Sequence, residues 1–309
     1  MTLTLPSILM PTSTSKVMSL VIVALVPGIL TSTYFFGIGI LLNALLSVAT
    51  AVLLEALVLR IRHARMSTLL DGSAVLTGLL LGIALPPDLP VWMTIIGCGF
   101  GIIFGKHLYG GLGHNPFNPA MVGYAVLILS FPLAMSSWPA VSPIDGVTAA
   151  TPLDTFRFRG AYTIEEIWST SAGFDSLAGI GWQWINLGYL VGGLVLIALG
   201  VIRWQALTGM LFTLSFLAMI FYDNGSSQSL GSPLFHLLSG GTMLTAFFIV
   251  TDPVTSPDSE IGLYAFGIGV GLITFVIRST GAYPDGFAFA ILLMNALTPL
   301  IDRIRRTRV

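Results

Sequence analysis

The chain has 309 residues, of which 55% are hydrophobic and only 9% are charged. A soluble domain carries about 25% charged residues, so these few charges exclude a soluble enzyme of this length. The composition predicts an all-α polytopic membrane protein whose apolar surface faces lipid. The net charge of −1 gives no reason to expect nucleic acid as a partner. The one cysteine, Cys98, cannot alone hold a metal ion or an iron–sulfur cluster.

Hydropathy along the chain predicts about ten transmembrane helices. The stretches are 17–36, 38–59, 73–87, 90–108, 118–135, 184–202, 205–222, 234–252, 260–278 and 286–302. Two of them contain helix breakers, since Pro86 and Pro87 end the third and Gly240 and Gly241 lie at the start of the eighth. Because Gly and Pro free backbone groups that lipid cannot satisfy, both stretches are predicted to be broken or re-entrant helices.

Lysine and arginine predict the orientation of these helices. With a cytoplasmic N-terminus, ten basic residues fall on the cytoplasmic side and three on the far side. The positive-inside rule therefore places both termini in the cytoplasm and the long loop 136–183 outside it. The ten are Lys16, Arg60, Arg62, Arg65, Lys106, Arg203, Arg303, Arg305, Arg306 and Arg308, and the three are Arg157, Arg159 and Arg278.

The chain also repeats itself at an offset of about 167 residues. Each half holds five predicted helices, and an odd number inverts the second half relative to the first. This predicts inverted five-helix membrane repeats over 1–135 and 184–309, with broken helices paired around a central cavity. The matching segments are 75–78 with 243–246, 100–105 with 266–271, and 113–116 with 281–284.

Two short motifs have a structural explanation that outweighs the functional one. Asn118-Pro119-Ala120 resembles one box of a water channel, but the second half has no matching box, so it is interpreted as a helix start. The glycines within 100–105 and 266–271 lie inside apolar stretches, where they indicate close helix packing and not a dinucleotide site.

Charged residues near the helix ends are candidates for both structural and functional roles. Lys106 is predicted to reach the membrane surface, and Glu55 is predicted to pair with the basic cluster at 60–65. Asp71 and Asp252 flank the two broken helices, where each could line an ion path or cap a helix end.

The loop contains a segment, 145–154, that offers exposed hydroxyl groups among small side chains, as a modifying enzyme requires. Within it, Asp145, Thr148, Ala149, Ala150 and Thr151 resemble the flavinylation motif of bacterial FMN transferases. That motif reads Asp, two variable residues, Ser or Thr, a small residue, Ala and the acceptor Ser or Thr. Ala149 departs mildly from it, because the family often carries Gly or Ser at that position.

With this motif, three further stretches make the chain resemble the NqrB/RnfD family. The family includes the RnfD subunit of the Rnf (Rsx) ion-translocating electron transport complex and the NqrB subunit of the Na⁺-translocating NADH:quinone reductase. The stretches are 71–78, 113–120 and 239–253. The resemblance implies a urea-transporter-like fold in a bacterial cell inner membrane, with the loop 136–183 in the periplasm.

The resemblance further implies FMN joined through its phosphate to the Thr151 hydroxyl, with Asp145, Thr148 and Ala150 read by the transferase. The chain would be one membrane subunit of a translocase, incomplete alone, relaying electrons between ferredoxin- or NADH-linked partners coupled to H⁺ or Na⁺ transport. Implied partners are Rnf-type subunits A, B, C, E and G, the FMN transferase and membrane lipid. Riboflavin would be a second cofactor, at a site that the residues do not locate.

Two other classes of function stay open at this point. The inverted repeat also suits a stand-alone channel or transporter for a small solute, and a scaffold could anchor redox partners without carrying a cofactor. The loop discriminates between them, because neither a transporter nor a scaffold needs a flavin acceptor at Thr151.

Overall fold

The computed structural model describes residues 13–139, 148–170, 174, 177–283 and 285–306. The described chain is mostly helical, and its one sheet is an antiparallel pair, β1 (Trp138–Pro139) with β2 (Thr148–Ala149). The helices are α1 Thr14–Phe36, α2 Gly39–Ile61, α3 Ser73–Ala84, α4 Val91–Gly99, α5 Pro119–Ser130, α6 Pro132–Ser136, α7 Pro152–Arg157, α8 Ile164–Thr170, α9 Trp182–Ala198, α10 Trp204–Ile220, α11 Pro233–Leu238, α12 Thr242–Leu244, α13 Glu260–Thr280 and α14 Phe287–Arg306.

Four helices in the described chain are long and apolar enough to cross a membrane. They are α1, α2, α13 and α4, the last with its continuation to Tyr109. Four shorter apolar helices, α3, α5, α9 and α10, accompany them. Leu30 on α1 and Leu53 on α2 are 64% and 70% exposed, as expected of side chains that face lipid. The prediction of a mostly helical polytopic membrane protein is confirmed.

The helix ends define two ends of the molecule. One end, called the termini end, is where α1 begins and α14 finishes; there the Asp258 N–H donates to Asp302, at 3.3 Å. The opposite end, called the loop end, carries α7 and α8 and the helix ends beside them. At the loop end Phe36 packs against Trp138 and Trp182, with ring centroids 5.1 Å apart in each pair.

The helix interruptions predicted from Gly and Pro are present, and buried asparagines satisfy the backbone that they free. After α3, the Asn43 amide donates to the Pro86 carbonyl at 2.7 Å. Between α11 and α12, the Asn186 amide donates to the carbonyls of Leu238 and Gly240 at 3.0 Å each. The backbone N–H of Met243 donates to the Asn186 side-chain oxygen at 2.9 Å. The protein itself, and not lipid, therefore supplies the missing partners.

Glycines let two pairs of helices approach closely, as predicted. A Cβ at Gly267 on α13 would collide with the Ala206 carbonyl of α10. A Cβ at Gly101 would lie 2.7 Å from the Pro119 carbonyl of α5. Close backbone contact through small residues is a usual way for membrane helices to associate.

Two segments adopt π-helical geometry, which the sequence did not indicate. Phe100–Lys106 continues α4, and Thr245–Ile249 continues α12. Each adds a residue to the turn and so re-aims the side chains that follow it. Both segments border cavities described below.

The predictions for Lys106 and Glu55 were wrong. Lys106 is 1% exposed, and its ammonium donates to the two Glu55 carboxylate oxygens at 2.8 and 2.6 Å and to the Ser73 hydroxyl at 2.7 Å. Glu55 therefore pairs with Lys106 instead of the basic cluster at 60–65. Three acceptors match the three donors of the ammonium, which offsets much of the cost of removing it from water.

Candidate functional site

The Thr151 side chain caps the N-terminus of α7. Its hydroxyl accepts the Asp154 backbone N–H at 3.2 Å and donates to the Asp154 carboxylate at 3.0 Å. Pro152 occupies the first helical position, where its missing N–H costs nothing. Thr151 is only 9% exposed, so the hydroxyl is held in one place and largely covered.

The other residues of the predicted motif are less completely described. Asp145 lies outside the described residues. Thr148 belongs to β2 and pairs through its backbone with Pro139, and Ala150 is exposed. The structure therefore gives a position for the candidate acceptor and leaves the recognition role of Asp145 and Thr148 as a prediction.

Thr151 lines a cavity of about 110 Å³ at the loop end. Its walls come from α1, α5, α9, α12 and α14, so both halves of the chain contribute. Most of the lining is apolar, and Trp138 and Trp182 form an aromatic wall with ring centroids 5.2 Å apart. Other lining residues are Ser32, Phe36, Tyr124, Tyr189, Thr245, Asp285 and Phe287.

The polar groups of this cavity are fixed by hydrogen bonds. Asp285 accepts the Gly241 backbone N–H at 3.2 Å and forms an ion pair with the buried Arg278 at 3.3 Å. The hydroxyls of Ser32 and Tyr189 lie 3.4 Å apart. The cavity thus combines an aromatic lining with a few positioned polar groups, the usual character of a cofactor pocket.

The carboxylate of Asp154 lies beside the acceptor hydroxyl and has a shifted pKa. Burial raises the pKa of Asp154 above its ordinary value, and its two hydrogen bonds with Thr151 partly counteract this shift. The carboxylate therefore takes up a proton more readily than a solvated aspartate does.

A second cavity, of about 90 Å³, lies at the termini end. Lys106, Asn118 and Asp252 are among its lining residues. The π-helix Thr245–Ile249 separates the two cavities, since Thr245 and Ile249 line the first and Phe247 and Phe248 the second.

The two aspartates that flank the broken helices have different surroundings. Asp71 accepts the Ser73 backbone N–H at 2.7 Å, which is a helix-capping contact. Asp252 accepts the Val254 N–H at 3.0 Å and the Asn118 amide at 3.2 Å, and it lines the second cavity. The contacts of Asp71 are those of a helix cap. Asp252, in contrast, also connects the two halves of the chain through its hydrogen bond with Asn118.

Asn118 begins α5, as its sequence indicated. Its side-chain oxygen accepts the Met121 N–H at 3.2 Å, and Pro119 follows at the first helical position. The interpretation of Asn118-Pro119 as a helix start is confirmed.

The sequence reasoning missed Asp154, Asp285 and the two tryptophans of the cavity wall. Asp154 carried a readable signal, because a carboxylate three residues after a threonine, with proline between, is typical of a helix start. Asp285 and the tryptophans carried none, because they reach the cavity only through the packing of distant helices. The described residues contain no group of three or more His, Cys, Asp or Glu that could hold a metal ion.

The helices and the paired cavities define a polytopic membrane protein with a candidate cofactor pocket at the loop end and a second cavity at the termini end. The chain belongs to the NQR2, RnfD, RnfE family, whose model matches residues 2–309.

Curated relatives cover almost all of the chain. It is 46% identical to the D subunit of the ion-translocating oxidoreductase complex of Cronobacter sakazakii, over 96% of this chain and 94% of the relative. It is 47% identical to the protein of that name from Ectopseudomonas mendocina, over 96% and 91%. It is 46% identical to that from Pseudomonas paraeruginosa, over 99% and 94%.

Proposed function

We propose that this chain is a membrane subunit of an ion-translocating oxidoreductase complex and carries FMN covalently on Thr151. The names of its relatives support the first part. The observation that carries the second is the position of Thr151, which lines a largely apolar, aromatic cavity between the halves of the chain. A bound flavin would supply the electron transfer, while the protein supplies position and electrostatics.

The residues around Thr151 fit a flavin. Trp138, Trp182 and Phe36 offer flat apolar surfaces against which an isoalloxazine ring can pack. A phosphate on the Thr151 oxygen would lie at the N-terminal end of α7, the end of a helix that favours negative charge. A scaffold without a cofactor would need neither feature.

The burial of Thr151 has a consequence for its modification. A transferase must reach the hydroxyl, yet the folded chain leaves this residue 9% exposed and bonded to Asp154. The FMN transferase would therefore act before α7 docks, or during a local opening of the segment.

Helix packing supports the proposed pair of inverted five-helix repeats, 1–135 and 184–309. In the first half α2 packs against α3 and α4, and in the second α10 packs against α11 and α13. The first helices of the halves, α1 and α9, pack against each other, as do the last, α5 and α14. Matching neighbours in matching order are expected of related halves.

The location, partners and ion are further parts of the proposal. Both termini would lie in the cytoplasm, and the loop 136–183 would face the periplasm across a bacterial inner membrane. The partners would be Rnf-type subunits A, B, C, E and G, in a translocase that moves H⁺ or Na⁺. Riboflavin would be a second cofactor, at a site that the residues do not locate.

A second candidate function is a small-solute transporter, and the two cavities favour it. They lie one behind the other between the halves of the chain, with the π-helix Thr245–Ile249 between them. The same arrangement suits ion coupling, with Asp252 as a half-buried carboxylate in the wall of the second cavity. If Asp252→Asn leaves ion pumping by the assembled complex in vesicles unchanged, a coupling role for this residue is excluded.

The test of flavin attachment uses the full chain, produced in a host with the transferase. Ultraviolet fluorescence of the band on a denaturing gel is expected for the wild type and for Thr151→Ser, and is expected to be absent in Thr151→Ala. Thr155→Ala is the matched control, because Thr155 lies on the same helix one turn further on. Mass analysis of the peptide should find FMN esterified to Thr151. A dark wild-type band, or fluorescence that survives in Thr151→Ala, would contradict the proposal.

A further inference from the structure

A third cavity lies at the loop end, beside the one that Thr151 lines. Its volume is about 190 Å³, and Leu153 forms part of the wall of both. Three arginines line it, namely Arg157, Arg159 and Arg278. The described residues that line this cavity include no aspartate or glutamate, so the cationic groups face it without a carboxylate on its walls.

Two of the arginines have structural duties. Arg159 donates to the backbone carbonyls of Phe156 and Ser227, at 2.9 and 3.1 Å. Arg278 pairs with Asp285, which lines the cavity of Thr151 instead. Their charges contribute to the field in the cavity, but their donors are largely occupied.

Arg157 differs from them because most of its hydrogen-bond donors have no acceptor in the described structure. In the described structure only its Nε donates a hydrogen bond, to the Gly281 carbonyl at 3.3 Å. Its two terminal nitrogens are left to contact a ligand. Burial, and then the positive charge of Arg157, hold the pKa of Arg159 below its usual range, as expected where positive charge is incompletely neutralised.

Two buried polar atoms in the cavity wall also lack partners. His236 is 2% exposed, and its Nε2 donates to the Leu230 carbonyl at 2.7 Å, while its Nδ1 has no hydrogen-bond partner among the described residues. The Ser279 hydroxyl is buried and likewise unpartnered in the described chain. Buried polar groups normally have a partner from protein or ordered water, and both residues line this polar cavity, where a bound molecule would supply such partners.

We propose that this cavity binds a phosphoryl oxyanion, with Arg157 and Ser279 as donors. A guanidinium edge matches two phosphate oxygens at once, which is the geometry that arginine recognises best. A protonated phosphate oxygen would donate to His236 Nδ1 and satisfy it. This inference uses none of the flavin-motif residues and stands independently of the proposed flavin attachment.

The phosphoryl group has two possible sources, an anionic phospholipid headgroup or free phosphate. The cavity lies where α13 ends. Exposed Phe158 follows Arg157 in the chain, and exposed Leu234 lies two residues before His236, which also lines the cavity. Exposed aromatic and apolar residues beside arginines are typical of the depth at which headgroups lie.

The experiment measures phosphate and lipid binding separately by the full chain. Calorimetric titration of inorganic phosphate into delipidated protein in a neutral detergent tests the free anion. Native mass spectrometry after reconstitution in mixed phosphatidylglycerol and phosphatidylcholine nanodiscs tests the headgroup. Arg157→Gln and Ser279→Ala are the variants. Arg203→Gln is the control, because Arg203 is exposed at the termini end and donates one bond, to the Asp258 carbonyl.

At least one of the two ligands should bind the wild type. Arg157→Gln should weaken that binding about tenfold or more, and Ser279→Ala less, because a charged hydrogen bond contributes more than a neutral one. Arg203→Gln should bind as the wild type does. Retention of phosphatidylglycerol alone identifies the headgroup as the source, and phosphate binding alone identifies the free anion. Absence of both, or equal binding by Arg157→Gln and the wild type, would overturn the inference.

Discussion

The buried pair of Lys106 and Glu55 gives the sharpest prediction for stability. Both side chains are nearly inaccessible, at 2% and 3%, and the ammonium has no acceptor in the described structure beyond the Glu55 carboxylate and the Ser73 hydroxyl. Lys106→Met removes the cation and keeps the shape of the stem. Glu55→Leu removes the anion. The double variant replaces the pair by two apolar side chains.

The expected magnitudes follow from the geometry. Lys106→Met leaves the Glu55 carboxylate buried, with the His107 ring nitrogen 3.7 Å away as the nearest cationic candidate. Breaking a buried pair in this way costs about 3–5 kcal/mol of the free energy of unfolding. Replacing both partners by apolar groups is often neutral, so the double variant should recover most of that loss.

Cys98 supplies the assay. It is the only cysteine of the chain, it is 2% exposed, and its thiol lies 3.5 Å from the Ser47 carbonyl where α4 packs on α2. Its reaction with a thiol probe in detergent therefore reports the opening of the same helix pair. At 1.4 kcal/mol for each factor of ten, either single variant should speed labelling by roughly two to three and a half orders of magnitude.

Arg203→Met is the control, because Arg203 is exposed at the termini end, and Cys98 of this variant should react with the probe at the wild-type rate. The reasoning is refuted if Lys106→Met speeds labelling by less than tenfold, or if the double variant is as unstable as the sum of the singles.

Two other predictions concern packing and pH. Gly267→Ala should lower the thermal unfolding temperature, because the new methyl meets the Ala206 carbonyl, while Gly99→Ala, with open space around its Cβ position, should leave it unchanged or raise it. Because the pKa of Asp154 is raised in the folded state, that state binds the proton more tightly than the unfolded chain does. The docking of α7 should therefore be most stable below the unfolded pKa of about 4 and weaken as pH rises through the raised value. Hydrogen exchange of this helix across acidic to neutral pH measures the effect, and an unchanged profile in Asp154→Asn would contradict the assignment.

The sequence was informative wherever local chemistry decides the structure. Hydropathy located the apolar helices. Gly240 and Gly241 marked one interruption, Pro86 and Pro87 marked the other, and Asn118 with Pro119 marked a helix start. It was uninformative where a partner lies far along the chain. Lys106 was predicted to reach the surface because its acceptor, Glu55, precedes it by 51 residues. The π-helices have no comparable signal, since segments matched in the two halves differ: 100–106 is π-helical, while its counterpart lies within the continuous helix α13.

The candidate site likewise has one part that the sequence predicted and one part that it did not. The motif picked out Thr151, but only the packed helices bring Trp138, Trp182 and Asp285 around it. The sequence could name an acceptor, whereas the pocket depends on helices whose contacts no local pattern specifies.

The cap at the start of α7 also decides what an ester on Thr151 would do to its surroundings. Once the oxygen is bonded to phosphorus it has no hydrogen left to donate, and the neighbouring Asp154 carboxylate, 3.0 Å away, would face a second anion. Either that carboxyl group acquires a proton or its side chain swings out of contact. Attachment of the prosthetic group would thus change the charge or the position of the Asp154 side chain on this short helix. The change would be present even when the flavin is oxidised and no electron is passing through it.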